Sequence, residues 1–162
     1  MNEIIKKLTS YNIFNYLLPG IIFVVIVQCV TSYKFIQGDT VVDLFLYYFI
    51  GLVVSRFGSL IIEPFFKRIK FVKFSEYKDF IVASKNDNKL EIFLEQNNMY
   101  RTFISMLMLI LLLKTYETTQ SSLNYLPIGG DKYILLVGIM LIFILSYLKQ
   151  TKYITNRINL NK

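Results

Sequence analysis

The chain has 162 residues, 54% hydrophobic and 16% aromatic, with a net charge of +7 and a mean hydropathy of +0.48. It contains no His and one Cys, Cys29, which excludes an intrachain disulfide framework and a Cys/His metal cluster. A soluble domain of this length buries a core without four long apolar runs, so the composition predicts an all-α membrane protein with four transmembrane helices.

At the N-terminus, Lys6 and Lys7 precede an apolar stretch, but no small-residue cleavage pattern follows it. The first run, 14–30, therefore reads as a retained span rather than a secretory signal. It opens with "NYLLPG", which holds Asn15, Pro19 and Gly20, and Asn12 lies just before it. These residues predict a helix start or a kink at that face of the membrane. Cys29, inside the run, is expected to be a small buried apolar residue. Asp39 and Asp43 then flank the entry to run two, where solvated capping is the expected role.

Run two, 44–62, places Arg56 within an apolar stretch and closes on Glu63, just before Pro64. A charge at the centre of a membrane helix costs about 2.5–3.5 kcal/mol on insertion scales, so it should face a partner, water or the bundle interior. Glu63 follows Arg56 by seven residues, which puts both on one helical face, but about 10 Å apart along the axis. Gly51, Ser55 and Ser59 recur every four residues beside them, with Gly58 thinning the helix further, so close backbone approach is expected there. Two readings of Arg56 stay open: a staple to a carboxylate or carbonyl inside one protomer, or a pore-lining residue at a symmetric interface.

Residues 64–101 form a short helical segment between spans two and three. Ser75 is the expected N-cap of a helix over "EYKDFIVASK", and "NDN" at 86–88 is expected to end it. Asp87 or Asn88 would cap a second helix in which Leu90, Phe93, Leu94 and Asn97 share a face. That helix is expected to run through "NNMYRT" into run three without a break. The stretch 64–80 interleaves Lys67, Arg68, Lys70 and Lys73 with Phe71, Phe74 and Tyr77. This mixture suits an interfacial helix on anionic lipid. It equally suits a groove for a phosphate-bearing ligand, with cations on phosphate and rings on bases.

Run three spans 99–116 and run four 133–148. Both are short for a crossing, which implies thinning, snorkelling or packing within a bundle; a re-entrant helix is the alternative for run three. If run three lined a pore, Leu107, Ile110 and Leu111 would form an apolar constriction. Between the runs, "PIGGD" at 127–131 lacks the Lys-Ser/Thr of a phosphate loop and reads as an exterior turn.

Fourteen of the eighteen Lys and Arg residues fall at the two ends of the chain and in 64–101. The connections after runs one and three hold only Lys34, Lys114 and Lys132. Positive charge is retained on the cytoplasmic side, so both termini and 64–101 are expected there. Tyr11, Tyr33, Tyr116 and Tyr133 at the run edges fit interfacial anchoring. General acid–base chemistry would want His or a carboxylate pair in a pocket. Neither is legible, so no enzymatic activity and no cofactor are expected.

This plan, four spans with cytoplasmic termini and a short basic cytoplasmic helix pair, resembles in architecture the small four-span membrane effectors of bacterial anti-phage systems. The Hailong-type channel effector is nearest in plan. The four-span component of Kiwa and the four-span proteins accompanying some RNA-targeting CRISPR systems are alternatives. The first resemblance implies a homo-oligomeric ion channel in the lipid bilayer, governed by a nucleotide or single-stranded oligonucleotide made by a cytoplasmic partner enzyme. Lys67, Arg68, Lys70 and Lys73 would then bind phosphate, with Phe71, Phe74 or Tyr77 stacking. Arg56, Ser59 and Glu63 would couple that site to the pore. The alternative from another class is a membrane scaffold or sensor that recruits a soluble partner.

Overall fold

A computed structural model describes residues 12–87, 89–123 and 137–149, and every element among them is helical. Helix α1 is Ile13–Val30, α2 is Thr40–Arg68, α3 is Tyr77–Asn86, α4 is Lys89–Leu123 and α5 is Val137–Lys149. Three of these, α1, α2 and α4, are long and apolar enough to cross a membrane. The described part of run four, α5, is apolar but shorter. At 1.5 Å per residue it reaches only about 20 Å, against a hydrocarbon core of about 30 Å. Lys6, Lys7, Tyr11, Asn88, the 127–131 turn, Tyr133 and the basic residues after Lys149 lie outside the described residues.

The spans are longer than the apolar runs because flanking signals are read through. Helix α2 begins at its Asp39 cap, whose carboxylate accepts from Val41 N at 2.8 Å and Val42 N at 3.2 Å. It ends at Arg68 rather than Ile62, passing Pro64 after a wider π turn at Gly58–Ile62. Helix α1 also starts with a π turn, Ile13–Leu17, which feeds directly into Leu18–Val30 without a break at Pro19. As expected from "NDN", Asp87 caps α4 by accepting from Lys89 N at 2.9 Å. Ser75 does not cap α3; that position belongs to Glu76. Asp43 is buried rather than solvated, and accepts from Gln37 N at 2.8 Å. Cys29 is exposed on the apolar flank of α1, not buried.

α1 and α2 touch backbone to backbone. A Cβ on Gly20 would lie 1.8 Å from the Tyr47 carbonyl oxygen, and one on Gly51 would lie 1.7 Å from that of Tyr16. α4 packs across both helices, so Phe23, Val24, Val27, Val54, Met106 and Ile110 form one core. In a bilayer, where lipid tails are as apolar as these side chains, close packing and interhelical hydrogen bonds, not water exclusion, would hold such a core. The outward faces carry large apolar residues, among them Val25, Phe45, Leu107, Leu111 and Leu145.

The helix ends sort into two levels. Ser32, just past α1, donates from its backbone N–H to Glu117 of α4 at 2.6 Å. At the other level, Glu63 of α2 meets Arg101 of α4, and Lys149 of α5 meets Ser59 of α2. Hence α1 runs parallel to α4, and α2 and α5 run opposite to them. The part of α4 before Arg101 projects beyond this lower level, about 18 Å at 1.5 Å per residue.

Candidate functional site: a cationic cavity at the helix ends

The stripe of small residues on α2 is used one helix at a time. Gly51 receives α1. Ser55 is buried and accepts from Thr102 Oγ1 of α4 at 3.3 Å. Gly58 abuts Ser105 of α4, where an added Cβ would come within 2.3 Å of the hydroxyl. Ser59 holds Lys149 of α5 through its carbonyl at 2.6 Å and its hydroxyl at 2.8 Å. The single Thr102 hydroxyl proton is shared between Ser55 and the Asn98 carbonyl, 2.9 Å away, and Ser105 donates to the Arg101 carbonyl at 2.7 Å.

The Ser59 carbonyl is available because of Pro64. In the π turn the Glu63 N–H bonds back to the Gly58 carbonyl. The next N–H in that register would come from residue 64, and proline has none. The oxygen left over would be costly to bury unmet. The Lys149 ammonium meets it.

One turn further on, Glu63 gathers three cations. Its carboxylate accepts from Lys67 Nζ at 2.8 Å and from the Arg101 guanidinium, and lies 3.9 Å from Lys149 Nζ. Glu63 and Arg101 are largely buried, with side-chain exposures of 10% and 17%. The cluster therefore ties α2 to α4 and α5 in a setting that screens charge less than water does. Lys67 also sits over the Phe74 ring at 4.2 Å.

Around this cluster opens a cavity of about 730 Å³. Ser59, Glu63, Lys67, Arg101 and Lys149 line the side formed by α2, α4 and α5; Lys73, Phe74, Ser75, Tyr77 and Phe80 form the wall contributed by the α2–α3 connection and α3. Leu94, Asn97 and Asn98 of α4 complete it. Four cations thus face one carboxylate. The volume falls within the range of small-ligand pockets, and the mixture of rings, amides and charges is what a polar ligand with a flat group requires.

The sequence-derived site residues divide accordingly. Lys67, Lys73, Phe74, Tyr77, Ser59 and Glu63 come together at the cavity. Arg68, Lys70 and Phe71 do not line it. Lys70 takes a left-handed conformation with φ 58° and ends α2, where the Phe71 N–H bonds back to the Phe66 carbonyl at 2.9 Å. The Phe71 ring then packs on Phe66 at 5.1 Å between centroids. Arg56 is half-buried and forms no hydrogen bond or ion pair among the described residues, although Lys149 lies within its electrostatic reach. Of the three residues considered for a constriction, Leu107 and Leu111 are exposed while Ile110 belongs to the core, so they do not share a face.

Arg101 and Lys149 were missed as site residues. Sequence reasoning counted them only toward topology. The available signal was their position as the polar terminus of an apolar run, where a long cation reaches toward the interface.

No family model, curated protein or solved structure matches the chain. The reading of the site therefore rests on its own chemistry.

Proposed function

We propose that this chain is a channel-forming membrane effector of bacterial anti-phage defence, with a nucleotide or single-stranded oligonucleotide bound in the cationic cavity controlling its pore. The observation that carries the proposal is the construction of the cavity from the ends of α2, α4 and α5, clamped by Glu63. A ligand there touches three membrane helices at once, so differential binding can shift their relative positions. The four cavity cations suit phosphate, and Phe74, Tyr77 and Phe80 suit a base. The defence setting rests on the architectural resemblance. The abundance of Lys and Arg around the cavity level supports a cytoplasmic location for it, and hence an inner-membrane protein with cytoplasmic termini.

One protomer has too few spans to enclose a wide pore, so conduction requires a closed ring of copies. The test is ion flux from liposomes containing the purified full chain, with short single-stranded oligonucleotides and mononucleotides added in turn. Flux that responds to one of them supports the proposal. Liposomes that stay tight, or leak identically, under every ligand overturn the gating reading.

A second reading, a scaffold that recruits a soluble protein, draws on a different observation. Phe71, Val82, Ile92 and Phe93 expose apolar surface on the segment beyond the membrane level. Isolated patches of this kind mark contact sites for lipid or protein. A stable soluble partner retained in a liposome with no ion flux favours this reading over the first.

A further inference from the structure

The cavity holds more positive charge than its own carboxylate answers. Among the described residues, Lys67, Lys73, Arg101 and Lys149 line it with Glu63 as the one carboxylate. Lys73 has no ion-pair partner among the described residues. The other three already share Glu63. The Nε of Arg101 is buried and has no hydrogen-bond partner. Lys73 is exposed and Lys67 partly so, where solvent screens charge; around the largely buried Glu63 and Arg101 the screening is weaker, so part of the surplus persists.

From this we infer that the cavity selects a phosphate group bearing two or more negative charges, a terminal phosphate monoester or a diphosphate, over the singly charged diester of a nucleic-acid backbone. The inference rests on the phosphate-ligand reading above and narrows it. An incoming diester carries the same single charge as Glu63. It would compete with that carboxylate for Lys67, Arg101 and Lys149 on equal terms, and leave most of the surplus standing. A monoester carries about −1.5 to −2 near neutral pH and three strong acceptor oxygens. It can engage Lys73, the cation with no ion-pair partner among the described residues, while Glu63 keeps its own partners.

The same chemistry has two possible sources, because the cavity lies at the level where the membrane helices end. One is the 5′-phosphate of a free nucleotide or oligonucleotide; the other is the headgroup of a phosphatidate lipid. The experiment separates them. The full chain is placed in phosphatidylcholine nanodiscs, and binding of a 5′-phosphorylated single-stranded trinucleotide is compared with that of its 5′-hydroxyl twin. In parallel, the chain is purified from mixed phosphatidate and phosphatidylglycerol nanodiscs, and its retained lipid is read by native mass spectrometry.

The expected result is at least about tenfold tighter binding of the phosphorylated trinucleotide, the scale of one extra charge-assisted contact. Lys73→Ala should shrink that ratio; because Lys73 has no ion-pair partner among the described residues, the variant remains a fair comparison. Equal affinity for the two trinucleotides overturns the charge rule and leaves the phosphate-ligand reading in place. Retention of phosphatidate over phosphatidylglycerol, with no trinucleotide bound, upholds the charge rule and removes the nucleotide. Binding of neither trinucleotide, with no phosphatidate retained over phosphatidylglycerol, overturns the inference and the reading beneath it together.

Discussion

Lys149 occupies the Ser59 carbonyl that Pro64 leaves open: its ammonium lies 2.6 Å from that oxygen, ninety residues away in sequence. The contact fixes the end of α5 against the π turn of α2. It depends on two things together, the missing N–H of proline and the reach of a lysine side chain. The two residues should therefore be coupled energetically. Lys149→Met should destabilise the wild-type fold by about 1.5–3 kcal/mol, the range for a hydrogen bond to a charged group. In a Pro64→Ala background, where residue 64 regains a donor for the helix, the same change should cost markedly less. A double-mutant cycle on thermal unfolding in detergent checks this, and additive effects would show that Pro64 plays no part.

The Glu63 cluster makes a second prediction. Glu63→Gln keeps the shape but leaves Lys67, Arg101 and Lys149 facing one another across a mostly buried site. Removal of one partner of a buried pair costs more than the pair itself contributes, because the remaining charge stays uncompensated. With Arg101 partly exposed, a loss of about 2 kcal/mol is expected. Added pyrophosphate should restore much of that loss in the variant and less in the parent, since it stabilises only a state that binds it. Unfolding temperatures at several pyrophosphate concentrations provide the readout.

How much of this was legible in the sequence depended on which residues report locally. The Asp39 cap, the Asp87 cap and the unbroken helix through "NNMYRT" follow from neighbours within a turn, and the structure agrees with them. The small-residue stripe was legible as a place of close approach, but not its division among three partner helices, which depends on long-range packing. Arg56 and Glu63 were placed on one face by a uniform period of 3.6. The π turn at Gly58–Ile62 interrupts that period between them, and nothing in the composition of "GSLII" announces a wider turn. Arg101 and Lys149 could not be assigned to Glu63 from sequence because pairs 38 and 86 residues apart are set by the fold. Phe71 and Lys70, grouped with their neighbours by composition, are instead used to end a helix.

The helix end at Lys70 provides a third prediction. A lysine with positive φ is strained where glycine would not be, and left-handed backbone costs an ordinary L-residue about 1–2 kcal/mol. Lys70→Gly should stabilise the protein by about 1 kcal/mol after the extra freedom of glycine in the unfolded chain is counted. Lys70→Ala should not. Because Lys70 does not line the cavity, neither variant should change affinity for the 5′-phosphorylated trinucleotide more than about twofold beyond long-range electrostatics. Lys73→Ala, one step inside the cavity wall, should weaken it clearly. Unfolding and binding measured on the same three samples separate conformational from ligand effects.

The α1–α2 crossing gives a fourth. Gly51→Ala places a methyl where the Tyr16 carbonyl already stands, and Gly20→Ala does the same against Tyr47. Both contacts are backbone, so no side chain can rotate away. The helices must separate, and the core around Val24 and Val54 opens with them. Each change should cost at least the 1–3 kcal/mol typical of overpacking, about 3 kcal/mol here. Gly38→Ala provides a useful contrast. No atom lies within 4 Å of its added Cβ, but its φ of 88° penalises any side chain. It should therefore cost only the backbone strain, about 1–2 kcal/mol, and leave the crossing intact. Cross-linking yields between cysteines introduced in α1 and α2 distinguish the two kinds of loss.

The two levels of helix ends can be assigned to sides of the membrane by labelling. Ser32 meets Glu117 at one level, while the cavity with Lys73 lies at the other. On the proposed topology the cavity level faces the cytoplasm. In a Cys29→Ala background, Ser32→Cys should react with a membrane-impermeant maleimide in intact spheroplasts. Lys73→Cys should react only after permeabilisation. Removal of native Cys29 is necessary because it is exposed on α1 near the Ser32 level and would confuse the signal. The contrast also tests the fold, because it requires α1 and α4 to finish together on the side opposite the Glu63 cluster. Reversed labelling would invert the protein in the membrane and place the cavity beyond the reach of any cytoplasmic ligand. Equal labelling of both positions in intact spheroplasts would show that α2 does not separate them by a bilayer.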